Sequence, residues 1–184
     1  MGLPIPQLLV VGLGNLPLPL TRHSVGHLIV DSLAARLGIK LSNQKGGYAG
    51  QGQVQLGQTQ ILLTLFKSKS LMNISGPSVA AIYRKNFHDP KSIIVISDSV
   101  QHDTTKLAVR LGGSANGHNG VKSIISALGG EQNFWRFRVG VGYHGTDMTT
   151  YVLGRLSNHE KQFWTQEGLD LVLAELERVA NKGG

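Results

Sequence analysis

The chain has 184 residues and a mass of 19.8 kDa, the length of one domain whose core is large enough to need no covalent staples. It contains no cysteine, which excludes disulfides, a thiolate nucleophile and zinc–cysteine sites and suits a cytosolic or organellar interior. With 18 Lys and Arg against 11 Asp and Glu, the formal charge is +7 and the pI near 9.9, a balance that serves either solubility or a polyanionic partner such as nucleic acid.

Apolar residues Leu8 to Val11 begin so close to Met1 that no signal or transit peptide is expected. The Met1-Gly2 start invites a myristoylation reading, but Pro6 stands where that motif needs Ser or Thr. No segment approaches the roughly twenty apolar residues of a membrane span.

In chain order, residues 8–12 predict a strand buried on both faces, because they are branched, apolar and not alternating. Val25, Leu28, Ile29, Leu33 and Leu37 follow at helical spacing, with Gly38 in the C′ position and Ser24 as a candidate N-cap. Residues 51–56 alternate and predict a half-exposed strand, whereas 61–66 predict a second buried one. A helix over 78–85 precedes the most apolar strand, 93–96. Lys106 and Arg110 fall on a further strand, and a helix over 119–128 carries Val121, Ile124, Ile125 and Leu128 on one stripe. Residues 134–139 predict a half-exposed strand that runs into the buried stretch 139–141. The last helix is expected in two pieces from about 158 to 179, with Gly168 as the weak point. Strands alternating with helices predict a single α/β domain over 1–184, a mixed, mostly parallel sheet with helices on both faces.

Polar residues just beyond these strands carry the chemistry. In an open α/β sheet such positions gather in one crevice, so scattered side chains can form one site. Gly12-Leu13-Gly14 ends the first strand like a dinucleotide-binding turn, but Pro17 replaces the third glycine and the acidic partner is missing. The turn is better read as presenting Asn15. His23 lies just before a helix, where the dipole favours an uncharged imidazole that can act as a general base; the alternative is a surface or capping histidine. His27, four residues on, could replace it or join it on zinc, although no third ligand is apparent. Asp98 ends the most buried strand and needs a partner there; a histidine ring would provide one, and a turn cap is the equal alternative. Asp103 and His102 lie close by. Asn15, Asn73 and Asn119 sit in loop settings, where carboxamides either shape turns or hold a peptide and a water. Arg136 and Arg138, two apart, share one strand face and could fork phosphate oxygens, as could Arg110 and Lys122; a solvated edge is the alternative.

Taken together, Gly12-Leu13-Gly14-Asn15, Thr21 to Gly26, Leu71 to Gly76, Ile96-Ser97-Asp98, Leu111-Gly112-Gly113 with Gly117 to Gly120, Phe134 to Gly142 and Tyr151 to Gly154 resemble the bacterial-type peptidyl-tRNA hydrolases in the same order. That resemblance implies an enzyme that hydrolyses the ester between a peptide and its tRNA with no metal or cofactor. It implies His23 as base, Asp98 as its partner, Asn15, Asn73 and Asn119 holding peptide, terminal adenosine and water, and Met72 packing beside the substrate. Arg110 and Arg138, with Lys122, would clamp the 5′-phosphate region of the acceptor stem. The chain would act as a monomer in the cytosol or mitochondrion. Two departures stand out: the segment from Asn15 to His23 is two residues short and lacks an aromatic, and Ser99 to Thr105 replaces an acidic, proline-containing stretch. They point to a divergent, eukaryotic member. The rival reading is an RNA-binding relative that serves RNA processing without hydrolysis.

Overall fold

The computed structural model describes residues 4–145 and 147–182, so the Met1-Gly2 start considered for acylation lies outside the described residues. Its centre is β1 (Gln7–Gly12), whose residues alternate between two cores: Leu8 and Val10 face one, Leu9 and Val11 the other. Such a strand must be covered on both sides, and two groups of helices do so. On one side lie α1 (Val25–Leu37), α5 (Asn158–Thr165) and α6 (Glu167–Asn181); on the other lie α2 (Gly76–Asn86) and α3 (Asn119–Ala127).

The remaining strands are β2 (Ser42–Gln44), β3 (Gly47–Leu56), β4 (Thr59–Ser68), β5 (Ile93–Ser99), β6 (Leu107–Leu111) and β7 (Trp135–Gly140), in the spatial order β2-β3-β4-β1-β5-β7-β6. The inner pairings β4·β1, β1·β5 and β5·β7 are parallel, while β2·β3, β3·β4 and β7·β6 are antiparallel. The sheet is therefore mixed as expected, with the parallel part at its centre. Parallel alignment matters because it brings the ends of β1, β4, β5 and β7 to one rim. A short helix, α4 (Met148–Leu153), stands over that rim. No helix among the described residues is long and apolar enough to cross a membrane.

Several expectations shift locally. Residues 134–139 are buried except for Arg138, which is half-buried; Arg136 is only 4% accessible, and its guanidinium donates to the Ser114 carbonyl at 2.8 Å. Val141 lies beyond β7, and Lys106 lies just before β6. The last helix does break in two, but at Gln166; Gly168 is inside α6, where a Cβ would stand 2.5 Å from the Trp164 ring. Its smallness serves packing rather than flexibility. Gly38 closes α1 in the left-handed region, as predicted.

Candidate active site

The rim is organised by the start of α1. A Cβ on Gly26 would stand 2.4 Å from the Ile96 carbonyl oxygen, so only glycine lets this turn press against the end of β5. That approach sets His23, in the 3-10 turn Arg22–Ser24, beside Asp98 near the end of β5. His23 Nδ1 lies 2.9 Å from Asp98 Oδ1 and 3.0 Å from Oδ2. Ser24 does not cap α1 with its side chain. Its hydroxyl accepts from the Asn15 N–H at 2.9 Å and donates to the Leu18 carbonyl at 2.9 Å, which fixes the loop leading to His23.

A second histidine completes the arrangement. His118 Nε2 lies 2.9 Å from Asp98 Oδ1, and its Nδ1 accepts from the Gly120 and Val121 N–H groups at the start of α3. With Nδ1 facing two donors, its proton belongs on Nε2, so His118 donates to Asp98 as a neutral ring. Burial alone would raise the pKa of the Asp98 carboxyl, but the N–H group of His118, followed by that of His23, both aimed at the carboxylate, outweighs it and holds the group well below the usual carboxylate range. The anion then fixes His23 with its proton on Nδ1 and leaves Nε2 uncommitted among the described residues. His118 belongs to the Gly117 to Gly120 motif, in which sequence alone assigns it no role. Its position immediately before a helical stripe, where caps sit, was the available signal.

His23, Asp98 and His118 also form the one group of His and acidic residues among the described residues whose donor atoms could hold a cation, all within 4.8 Å. Those atoms are already joined to one another by hydrogen bonds, which a cation would displace. His27, weighed above as an alternative base or zinc partner, is not in this group; it is buried against Gly14.

The other expected residues divide by depth. Asn15 is 8% exposed; its Oδ1 accepts from the Met72 N–H at 2.7 Å, which turns its amide nitrogen away as a donor with no partner among the described residues. Met72 is buried beneath the turn Met72–Ile74. Asn73 and Asn119 are exposed at the rim. A cavity of about 410 Å³ contains His23, Asp98, His118, Asn119, Arg136 and Arg138, with Val152 and Leu153 of α4 as an apolar wall. Arg110 lies across β6 from Arg136 in register, and Arg138 is the next residue along the same face of β7. Burial, and then the charges of Arg138 and Arg110, lower the Arg136 pKa to about 10; no carboxylate pairs with any of the three among the described residues. Lys122, exposed in the first turn of α3, lines two other hollows that contain none of these arginines.

The wall and His23 are tied together. The Arg22 N–H donates to the Gly154 carbonyl and the Leu156 N–H to the Leu20 carbonyl, both at 2.9 Å, flanking a bridge between Thr21 and Arg155. Leu20 takes a left-handed φ of 63° beside this bridge, an uncommon conformation for a residue with a side chain. The Arg22 guanidinium stacks 4.3 Å above the Tyr151 ring of α4.

A family model described as peptidyl-tRNA hydrolase matches residues 9–183. The peptidyl-tRNA hydrolase of Clostridium botulinum (strain Hall) is 42% identical over 160 residues, covering 84% of this chain and 80% of the relative. That of strain Okra is 41% identical over 172 residues, covering 90% and 84%. Among solved structures, peptidyl-tRNA hydrolase from Acinetobacter baumannii superposes with a TM-score of 0.83 at 28% identity, covering 99% of this chain and 93% of that one.

Proposed function

The chain belongs to the peptidyl-tRNA hydrolase family, and from that premise we propose that it hydrolyses the ester between a peptide and the ribose of its tRNA, with His23 and Asp98 as the catalytic pair. One observation carries the residue assignment: the ring nitrogen of His23 sits 2.9 Å from a buried carboxylate at the edge of an arginine-bearing cavity. With Nδ1–H donated to Asp98, His23 Nε2 takes a proton from water as the water oxygen bonds to the ester carbonyl carbon. Amide N–H groups of Asn15, Asn73 or Asn119 stabilise the resulting oxyanion, each worth about two to three decades in rate. Collapse breaks the carbon–oxygen bond to the ribose, and the leaving oxygen takes the proton back from His23. Asp98 stays anionic throughout and stabilises the imidazolium.

In this reading Met72 packs beside the substrate, Arg110 and Arg138 hold phosphate oxygens of the acceptor stem, and residues 1–184 act as one domain and as a monomer, in cytoplasm or mitochondrion. No metal is required, since the base and the donors suffice for the chemistry. Family membership favours hydrolysis and gives no support to the non-hydrolytic RNA-binding alternative. Turnover of an N-acylated aminoacyl-tRNA tests the assignment. His23→Ala should lower kcat by about 10²–10⁴-fold while tRNA binding is retained, and wild-type turnover by that variant would refute the base. Arg138→Ala should raise KM and flatten the salt dependence of binding; an unchanged slope would remove Arg138 from the clamp.

A further inference from the structure

Arg22 precedes His23 and Ser99 follows Asp98, and a second path through the molecule joins these two neighbours. It runs through Tyr151 on α4. The Arg22 guanidinium, which stacks on the Tyr151 ring, also donates from Nη1 to the Tyr151 carbonyl at 3.2 Å. At the far end of the side chain the Tyr151 hydroxyl donates to the Val141 carbonyl at 2.6 Å, and the Val141 N–H donates to the Ser99 carbonyl at 3.0 Å. The hydrogen bond between His23 Nδ1 and Asp98 closes the circuit.

The packing around this path leaves little slack. A Cβ on Gly154 would stand 2.7 Å from Arg22 Nη1, Val141 is fully buried, and the Tyr143 and His144 rings meet the Tyr151 ring at nearly right angles. No carboxylate pairs with Arg22 among the described residues, so a carbonyl and an aromatic face hold this cation. A planar guanidinium suits that pairing, and an ammonium does not. Neither Arg22 nor Tyr151 lines the cavity, although Thr149 and Val152 on the same helix do. Substrate there would meet His23 and Asp98 but not the two residues that brace them. We propose that Tyr151 and Arg22 are positioning residues for the catalytic pair, and that one aromatic side chain on α4 sets where the His23 segment and the end of β5 stand relative to each other. The inference rests on the hydrolase reading and adds to it two residues outside the cavity. A misplacement of about 1 Å at reacting groups can cost about 10²-fold in rate, so a brace of this kind is read in kcat.

Two conservative variants provide the test: Tyr151→Phe keeps the stack and removes the hydroxyl, whereas Arg22→Lys keeps the charge and removes the planar fork. In steady-state turnover of an N-acylated aminoacyl-tRNA, each should lower kcat about tenfold with KM changed by less than about twofold. Because both open the same circuit, the double variant should lose little more than either alone, whereas independent supports would multiply to about 10²-fold. The proton NMR signal of His23 Nδ1–H, identified by its absence in His23→Ala, should broaden or move upfield in each variant as the bond to Asp98 loosens. A raised KM at unchanged kcat in Tyr151→Phe would show that Tyr151 holds only the cavity wall, and the proposal is overturned. Wild-type kcat in both variants, or a fully multiplicative double variant, overturns it equally. Should Arg22→Lys fail to fold, the kcat and KM of Tyr151→Phe decide alone. If the wild-type protein turns over no substrate, the hydrolase reading itself fails and this proposal falls with it.

Discussion

His23 and His27 are four residues apart on one stretch of chain, yet their surroundings are opposite. His23 is half-buried with one ring nitrogen on Asp98 and the other uncommitted among the described residues. His27 is 6% exposed, its ring is wedged against Gly14, and its Nε2 has no hydrogen-bond partner among the described residues. Burial, and then the charge of Lys67, push the His27 pKa down to about 4. The contrast separates two uses of one side chain. Around Asp98 the hydrogen-bonding groups are mostly spent on holding one another, and what remains is available to a substrate. Around His27 the imidazole is a neutral filler that secures the turn carrying Asn15, and leaving a nitrogen unpaired is the cost of that fit.

The sharpest way to break the contrast is at its charged end. Asp98→Asn should reduce kcat by about 10²–10⁴-fold, because a carboxamide can present its N–H to His23 Nδ1 and stabilise the wrong tautomer. A loss below about tenfold in a steady-state assay would show that His23 does not depend on the carboxylate. Next comes acid stability. Between pH 6.5 and about 4 the unfolded chain's imidazole at position 27 binds a proton that the folded core refuses, so stability is full above pH 6.5 and falls as pH drops through this window. The loss should reach about 3 kcal/mol. Replacing His27 with Leu should remove this share of the acid sensitivity, read by urea unfolding at pH 7 and pH 4.5. Asp98 contributes a separate loss only at lower pH, since its carboxyl is held below the usual carboxylate range.

A third test makes the turn and the ring collide. A Cβ on Gly14 would stand 2.7 Å from His27 Cγ, so Gly14→Ala should destabilise by about 1–3 kcal/mol. Adding His27→Ala should recover part of that loss, and strict additivity in the double-mutant cycle would deny the contact. The smallest effect is expected at His118. His118→Asn removes one of the donors to Asp98, and kcat should fall about tenfold, the worth of one hydrogen bond to a charged group; an unaltered kcat would confine the catalytic pair to His23 and Asp98.

The buried strands were legible in the sequence because unbroken branched runs have few alternatives, and Gly38 marked the end of α1 for a simple conformational reason. Polar residues beyond those strands were legible as candidates for the same reason that they converge: parallel neighbours end at one rim. His118 was harder, since its donors lie on its own helix and its acceptor lies 20 positions away. Ser24 resembled a cap by position, but its hydroxyl found a nearer demand in the Asn15–Leu18 loop. The burial of Arg136 depends on a carbonyl 22 residues away, which no local pattern encodes.

The backbone bonds joining residues 20–22 to 154–156 have a mechanical consequence. With its C-terminal end fastened beside His23, α4 cannot lift there without unzipping the segment that aims that imidazole. Any swing of α4 would therefore pivot about this fastened edge and would leave the placement of His23 constant while the cavity beside it changed width.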